Sequence, residues 1–77
     1  MSWTPESLAE VPLRCVAHAD GSATALWIYE ADEPPISKLV TLNRRTGEKT
    51  IQWVAGGRTC HSLDEVVAAL AQLELAL

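Results

Sequence analysis

Short connections between apolar segments are the feature that most constrains the fold of this chain. Asp20-Gly21 is a strong hairpin signal, and the stretch RRTGE supplies Gly47 for a turn with a positive φ angle. Gly56-Gly57 stops the last of the segments, which are 13–19, 23–30, 36–43 and 49–55. Neighbouring parallel strands need a crossover of about a dozen residues or more, which none of these connections offers. The sequence therefore predicts an antiparallel meander of four strands.

The clearest helix signal lies at the C-terminal end of the chain. SLDE is a capping box, with Ser62 as the N-cap and Glu65 three residues later. At the helical period, the apolar side chains that follow share an arc of about 120°. They are Leu63, Val66, Val67, Leu70, Leu73 and Leu77. Glu74 falls inside this arc and Leu75 falls outside it, so we expect the regular helix to end near 72–74.

A shorter helix signal lies at the N-terminal end. Thr4 suits the N-cap position and Pro5 suits the first helical position. Pro12 disfavours helical geometry just before it, so one or two turns are expected. The whole chain is therefore predicted to form one α+β domain, residues 1–77. Its four-stranded antiparallel sheet carries one C-terminal amphipathic helix on one face and a short N-terminal helical turn.

The second strand is apolar on both of its faces. Strand alternation places Trp27 and Tyr29 on one face, and Leu26 and Ile28 on the other. One long helix can cover only one face, so the second needs the N-terminal segment around Leu8 or a partner. Alternatively, Trp27 and Tyr29 form an exposed aromatic platform, because exposed apolar patches tend to mark interaction sites.

No arrangement of side chains in the sequence predicts catalysis, a metal site or a cofactor. Cys15 and His18 are three residues apart on a strand and are therefore expected to point to opposite faces. Cys60 and His61 are adjacent, so they are not expected to aim at each other as a nucleophile and its base. We therefore expect a protein that is not an enzyme and that binds neither cofactor nor metal.

The apolar pattern, the cysteine count and the net charge predict the compartment of the protein and the class of partner that it binds. The start of the sequence has no basic and apolar signal-peptide pattern, and no apolar run approaches the roughly 20 residues of a membrane span. A cytoplasmic protein without membrane contact is expected, with Cys15 and Cys60 as free thiols. The formal net charge is −4, which argues against direct nucleic-acid binding.

Acidic residues concentrate at one predicted end of the meander, because alternate turns of a meander share an end. We call this predicted set the acidic pole; its members are Glu30, Asp32, Glu33, Asp64 and Glu65. Only Arg58 is expected to oppose them at that end. Clustered like charge costs folding energy through self-repulsion. The acidic pole is therefore either a solvated loop or a surface that binds a basic protein partner.

In outline the whole chain, a small acidic α+β domain without catalytic residues, resembles small phage-encoded anti-CRISPR inhibitors. The resemblance implies a cytoplasmic inhibitor in the host cell that blocks a nucleic-acid-binding surface of a partner such as a Cas effector complex. It rests on no motif, so it transfers no site residue. The order of elements is also similar to a double-stranded RNA-binding domain, but Asp64 and Glu65 stand where that family has lysines. The alternative is an accessory or dimerising domain that uses its sheet edge or the face of Trp27 and Tyr29.

Overall fold

The computed structural model describes residues 3–75, apart from the side chain of Glu74, and shows an α+β domain. Its elements in chain order are α1 Pro5–Ala9, β1 Arg14–Asp20, β2 Thr24–Ala31, β3 Ile36–Asn43, β4 Lys49–Ala55, β5 Arg58–Cys60 and α2 Leu63–Leu75. The strands form one sheet in the order β1-β2-β3-β4-β5, and every neighbouring pair is antiparallel. The predicted meander, the C-terminal helix and the short N-terminal helix are therefore confirmed.

The predicted number of strands is wrong, because the sheet has five strands and not four. Gly56 and Gly57 have φ angles of 59° and 75°, and Ala55 pairs with Arg58 across them. Two successive positive φ angles are what a two-residue hairpin turn requires. The glycine pair therefore forms a hairpin turn instead of ending the sheet in an irregular loop. The segment Arg58–Cys60, expected as a connection, is strand β5.

Two other local predictions need adjustment. The first hairpin forms, but its connection is 21–23, closed by a hydrogen bond from the Gly21 N–H to the Thr24 carbonyl. Helix α2 continues to Leu75 rather than ending near 72–74. Leu77, which the predicted apolar stripe includes, and the side chain of Glu74 lie outside the described residues.

Both helix starts carry the predicted caps. The Ser7 N–H donates to the Thr4 hydroxyl at 3.1 Å, and the Glu65 N–H donates to the Ser62 hydroxyl at 3.3 Å. The Glu65 carboxylate accepts from the N–H of His61, one residue before the position expected in a capping box. These bonds satisfy backbone donors that a helix leaves without an internal partner.

The core lies where α2 crosses one end of the sheet. Helix α2 packs on β4, β5 and α1. The buried side chains that meet there are Leu8, Ile36, Ala55, Cys60, Val66, Ala69 and Leu70. The hairpin ends of β1 to β4 extend beyond this core, and the molecule is correspondingly elongated, with extents of 43 × 21 × 20 Å.

Strand pairing assigns the side chains to two faces of the sheet. Ile36 and Ala55 are paired in the core, and alternation from them places Trp27 and Tyr29 on the same, helix-side face. The opposite face, which carries Leu26 and Ile28, we call the open face. Of the two coverings expected for this face, the N-terminal segment around Leu8 is not the one, because Leu8 is 2% exposed within the helix-side core.

A β-bulge overturns one further sequence inference. Cys15 pairs with Tyr29 and His18 pairs with Trp27, with an irregularity between Cys15 and Ala17. The extra residue in β1 shifts the alternation by one position, so Cys15 and His18 share the helix-side face instead of pointing to opposite faces.

Candidate binding surfaces

The part of the helix-side face that α2 leaves uncovered forms a groove. A cavity of about 470 Å³ lies over Leu13, Trp27, Tyr29, Lys38, Val40, Leu42 and Lys49, which we call the sheet groove. Its floor follows from cross-strand pairing, because Trp27 lies opposite Val40 and Tyr29 opposite Lys38 on neighbouring strands. Val40 is buried while Trp27 and Tyr29 are half-buried, so the aromatic rings present accessible surface.

Lysine side chains border this apolar floor. The Lys38 ammonium lies 5.3 Å from the centre of the Trp53 ring, a distance at which the ring face attracts a cation. Lys49 is exposed on β4 opposite Leu42. The ion pairs found among the described side chains involve Arg14 and Arg44, so the ammonium groups of the groove pair with none of the described carboxylates.

His18 extends the aromatic surface of the groove toward β1. Its ring stacks on the Trp27 ring with centroids 5.1 Å apart and planes 13° apart. Stacking of this kind limits the rotamers open to Trp27 and holds its ring in place. The sheet groove therefore offers a preformed aromatic and aliphatic floor with positive charge at its border.

The sequence points to only part of this groove. Trp27 and Tyr29 are predicted as an aromatic platform, whereas Lys38 and Lys49 are not predicted as site residues. The strand register would predict both lysines as groove residues, because it places alternate residues of β3 and β4 on the same face as Trp27 and Tyr29. That register cannot be read until the hairpin connections are known.

The structure separates the predicted acidic pole into two groups. Glu30, Asp32 and Glu33 lie at the end of β2 and in the connection to β3, which contains a cis Glu33–Pro34 peptide. Asp64 and Glu65 lie in the first turn of α2, after β5 has carried the chain back along β4 to the level of Trp53.

The middle of α2, rather than its first turn, lies at the end of the sheet where β4 turns into β5. A Cβ atom built on Gly56 would be 3.5 Å from the Ala69 carbonyl oxygen and 3.9 Å from the Leu73 Cβ. Ala69 follows Asp64 by five residues, a rise of roughly 7.5 Å along the helix. The expectation that all five carboxylates gather at one end is therefore not met, because β5 displaces the helix start.

Arg14 also changes the charge at the β2–β3 connection. Its guanidinium donates to both carboxylate oxygens of Asp32, at 3.1 and 3.2 Å, and Arg14 faces Glu30 in the strand register. The hydrogen bond that Arg14 donates to Asp32, and then the negative charge of that carboxylate, raise the pKa of Arg14. The expectation that only Arg58 opposes the acidic pole is therefore wrong.

A second recess, of about 450 Å³, lies between β5 and the start of α2, where Cys60, His61 and Glu65 contribute to its lining. Burial, followed by the negative charge of Glu65, raises the pKa of the Cys60 thiol, while Arg58 lowers it. A raised pKa reduces the thiolate fraction, so this recess does not favour a reactive nucleophile.

Three further observations concern a metal site, a membrane-spanning helix and the similarity of the chain to known proteins. Among the side chains that the structure describes, no three of His, Cys, Asp or Glu are grouped to hold a metal ion. Neither described helix is long and apolar enough to cross a membrane. Compared with models of known protein families, with curated proteins and with solved structures, the chain has no match.

Proposed function

We propose that this protein is a non-catalytic binding module whose sheet groove receives a segment of a partner protein. The observation that carries the proposal is the groove itself, in which half-buried Trp27 and Tyr29 on β2 share the lining with Lys38 on β3 and Lys49 on β4. Binding sites are typically concave and mainly apolar, with a few charged groups that fix the orientation of the ligand.

The lining of the groove defines the chemistry of the segment that fits it. Trp27 and Tyr29 supply large amphipathic surfaces that lose little conformational entropy on binding, and such residues often dominate interface energies. The lysines favour carboxylates on the segment and disfavour basic residues. The partner segment is therefore apolar or aromatic with flanking Asp or Glu side chains.

The test compares variants on opposite faces of the sheet, after affinity capture has identified a partner. Tyr29→Ala is expected to weaken binding at least tenfold, about 1.4 kcal/mol, because it removes an aromatic contact from the lining of the groove. The control is Thr41→Ala, which lies in β3 between Val40 and Leu42 but points to the open face. Titration calorimetry measures both affinities, and equal losses for the two variants would reject the groove as the site.

A second candidate function is inhibition of a protein that binds nucleic acid, such as a Cas effector complex. It is favoured by the exposure of the β2–β3 connection, where the Asp32 side chain is 82% exposed and Glu33 is exposed, in a chain of net charge −4. In this proposal Glu30 and Glu33 imitate phosphates and occupy a basic surface of the partner, while Asp32 stays paired with Arg14.

The double variant Glu30→Gln, Glu33→Gln tests this candidate while leaving the Arg14–Asp32 ion pair in place. Charged side chains at an interface border mainly raise the association rate, and salt screens that effect. We expect slower association with a basic partner and a weaker dependence of the rate on salt. Glu48→Gln, at the opposite hairpin end, is the control. Stopped-flow measurements give the association rate of each variant with the basic partner at low and high salt. Identical rates for the double variant and the control would exclude the β2–β3 connection as the binding site.

A further inference from the structure

The open face of the sheet is apolar at its centre and almost free of charge. Its apolar positions on β1 to β4 are Ala17, Ala19, Leu26, Ile28, Leu39 and Val54. Its neutral polar positions on β2 to β4 are Thr24, Ser37, Thr41, Asn43, Thr50 and Gln52. Charge is confined to one end, where Arg14 pairs with Glu30. No helix of the described chain packs on this face.

The centre of the open face is a continuous row across four strands. Ala17 pairs with Ile28, Ile28 with Leu39, and Leu39 with Gln52. Leu26, Ile28, Leu39 and Val54 are half-buried by their neighbours alone and keep surface exposed to solvent. None of the four packs against the core beneath α2.

The absence of charge distinguishes this face from the rest of the surface. The chain has 16 charged residues, 6 basic and 10 acidic, yet the central rows of the open face carry none. Surfaces that remain in water usually carry charged side chains, whereas the centres of protein interfaces are depleted of them. This composition favours a protein–protein contact over a solvated sheet face.

We infer that two copies of the chain pack through their open faces as a sheet-on-sheet dimer. A partner rich in charge finds no opposite charge in the central rows, whereas a second copy presents the same aliphatic and neutral side chains. Two chains of net charge −4 repel each other, and this arrangement keeps most of their charges at the periphery of the contact. The interface is self-complementary about a two-fold axis near Ile28 and Leu39.

The size of the face suits a weak, reversible dimer. Strands β1 and β4 are seven residues long, and β2 and β3 are eight. At about 4.8 Å between strands and about 3.3 Å per residue, these four strands give a face of roughly 450–500 Å². Two such faces bury about 1,000 Å² in total, the lower limit for a specific interface, so micromolar affinity is expected. Aligned packing of two sheets about 10 Å apart accommodates interdigitating Leu and Ile side chains.

The dimer leaves the sheet groove free, because the groove lies on the helix-side face. Each dimer then presents two grooves on its outer surfaces and can bind two segments of a partner. The inference does not depend on the proposed function, since it rests on the opposite face and its test requires no partner.

Sedimentation velocity over a concentration series from about 1 to 300 μM, a range that spans micromolar affinity, tests the dimer. The mass of the wild type is expected to rise from 8.4 kDa toward twice that value. Gln52→Lys and Leu39→Lys place a charge in the central row of the open face and should keep the protein monomeric throughout. The matched control is Ile51→Lys on the helix-side face, where Ile51 is 41% exposed, and it should dimerise like the wild type.

Circular dichroism first confirms that each variant is folded. Gln52→Lys replaces a side chain that is already polar, so it remains informative if Leu39→Lys unfolds the domain. A wild type that stays monomeric over the whole series overturns the inference. So does a dimer that persists in a folded Gln52→Lys variant, which would indicate pairing through the β1 edge, or one that Ile51→Lys alone disrupts.

Discussion

Replacing Leu70 with alanine is expected to lower the free energy of unfolding by about 2–5 kcal/mol. Leu70 is 4% exposed and packs with Leu8, Ile36 and Val66 where α2 meets the sheet. The substitution removes buried methyl groups and leaves a cavity that the β-sheet beneath it can fill only in part. A domain of 77 residues has a total stability of about 4–12 kcal/mol, so the loss is a large fraction of the whole.

Urea unfolding measures this loss as a lower midpoint with an unchanged slope. Leu75→Ala is the matched control, because it makes the same substitution in the same helix at a side chain that is 86% exposed. Its effect is expected to stay within about 0.5 kcal/mol. Equal midpoints for the two variants would show that the packing of α2 on β4 and β5 does not stabilise the domain.

The antiparallel order of the strands can be predicted from the sequence because local chemistry determines it. Each connection is too short for a parallel crossover, and Gly47 provides the positive φ that its turn requires. The start of α2 is also determined by nearby residues. The Glu65 N–H donates to the Ser62 hydroxyl, and the Glu65 carboxylate accepts from the His61 N–H. Features that depend on residues a few positions apart are the ones that the sequence predicts correctly.

Strand β5 could not be predicted with the same certainty because Gly56-Gly57 is compatible with two outcomes. Two glycines can release a chain into a loop or close a two-residue hairpin, and only the segment that follows decides between them. Arg58–Cys60 is short and shows little alternation, so its pairing with β4 depends on Cys60 entering the core. This tertiary contact also moves Asp64 and Glu65 away from the β2–β3 connection.

The candidate sites show the same division between local and non-local information. Trp27 and Tyr29 share a face by simple alternation, and the pairing with β3 then brings Lys38 and Val40 beside them. The bulge in β1 has no marker in the sequence, yet it decides which face Cys15 and His18 occupy. Arg14 reaches Asp32 because β1 and β2 pair with Arg14 opposite Glu30, which places its guanidinium beside the β2–β3 connection.

Thiol labelling of the folded protein is expected to modify Cys15 at least about a hundredfold faster than Cys60, which corresponds to an opening free energy near 2.7 kcal/mol. Cys15 is exposed on β1, whereas Cys60 is 3% exposed in the core. A reagent reaches Cys60 only when β5 or the whole domain opens. The raised pKa of the Cys60 thiol slows its reaction further, because the thiolate is the reacting form.

Both thiols are expected to react in the denatured protein without prior reduction, because the structure holds them apart as free cysteines. Strands β1 and β5 are opposite edges of a five-stranded sheet, so these residues are separated by about 19 Å across the strands. A disulfide requires Cα atoms within about 7 Å of each other.

Timed alkylation followed by peptide mass spectrometry gives the labelling rate of each cysteine, with Cys15→Ser as a control that leaves only the buried thiol. Equal rates for Cys15 and Cys60 in the folded protein would contradict the placement of β5 beneath α2, and with it the separation of Asp64 and Glu65 from Glu30 and Glu33.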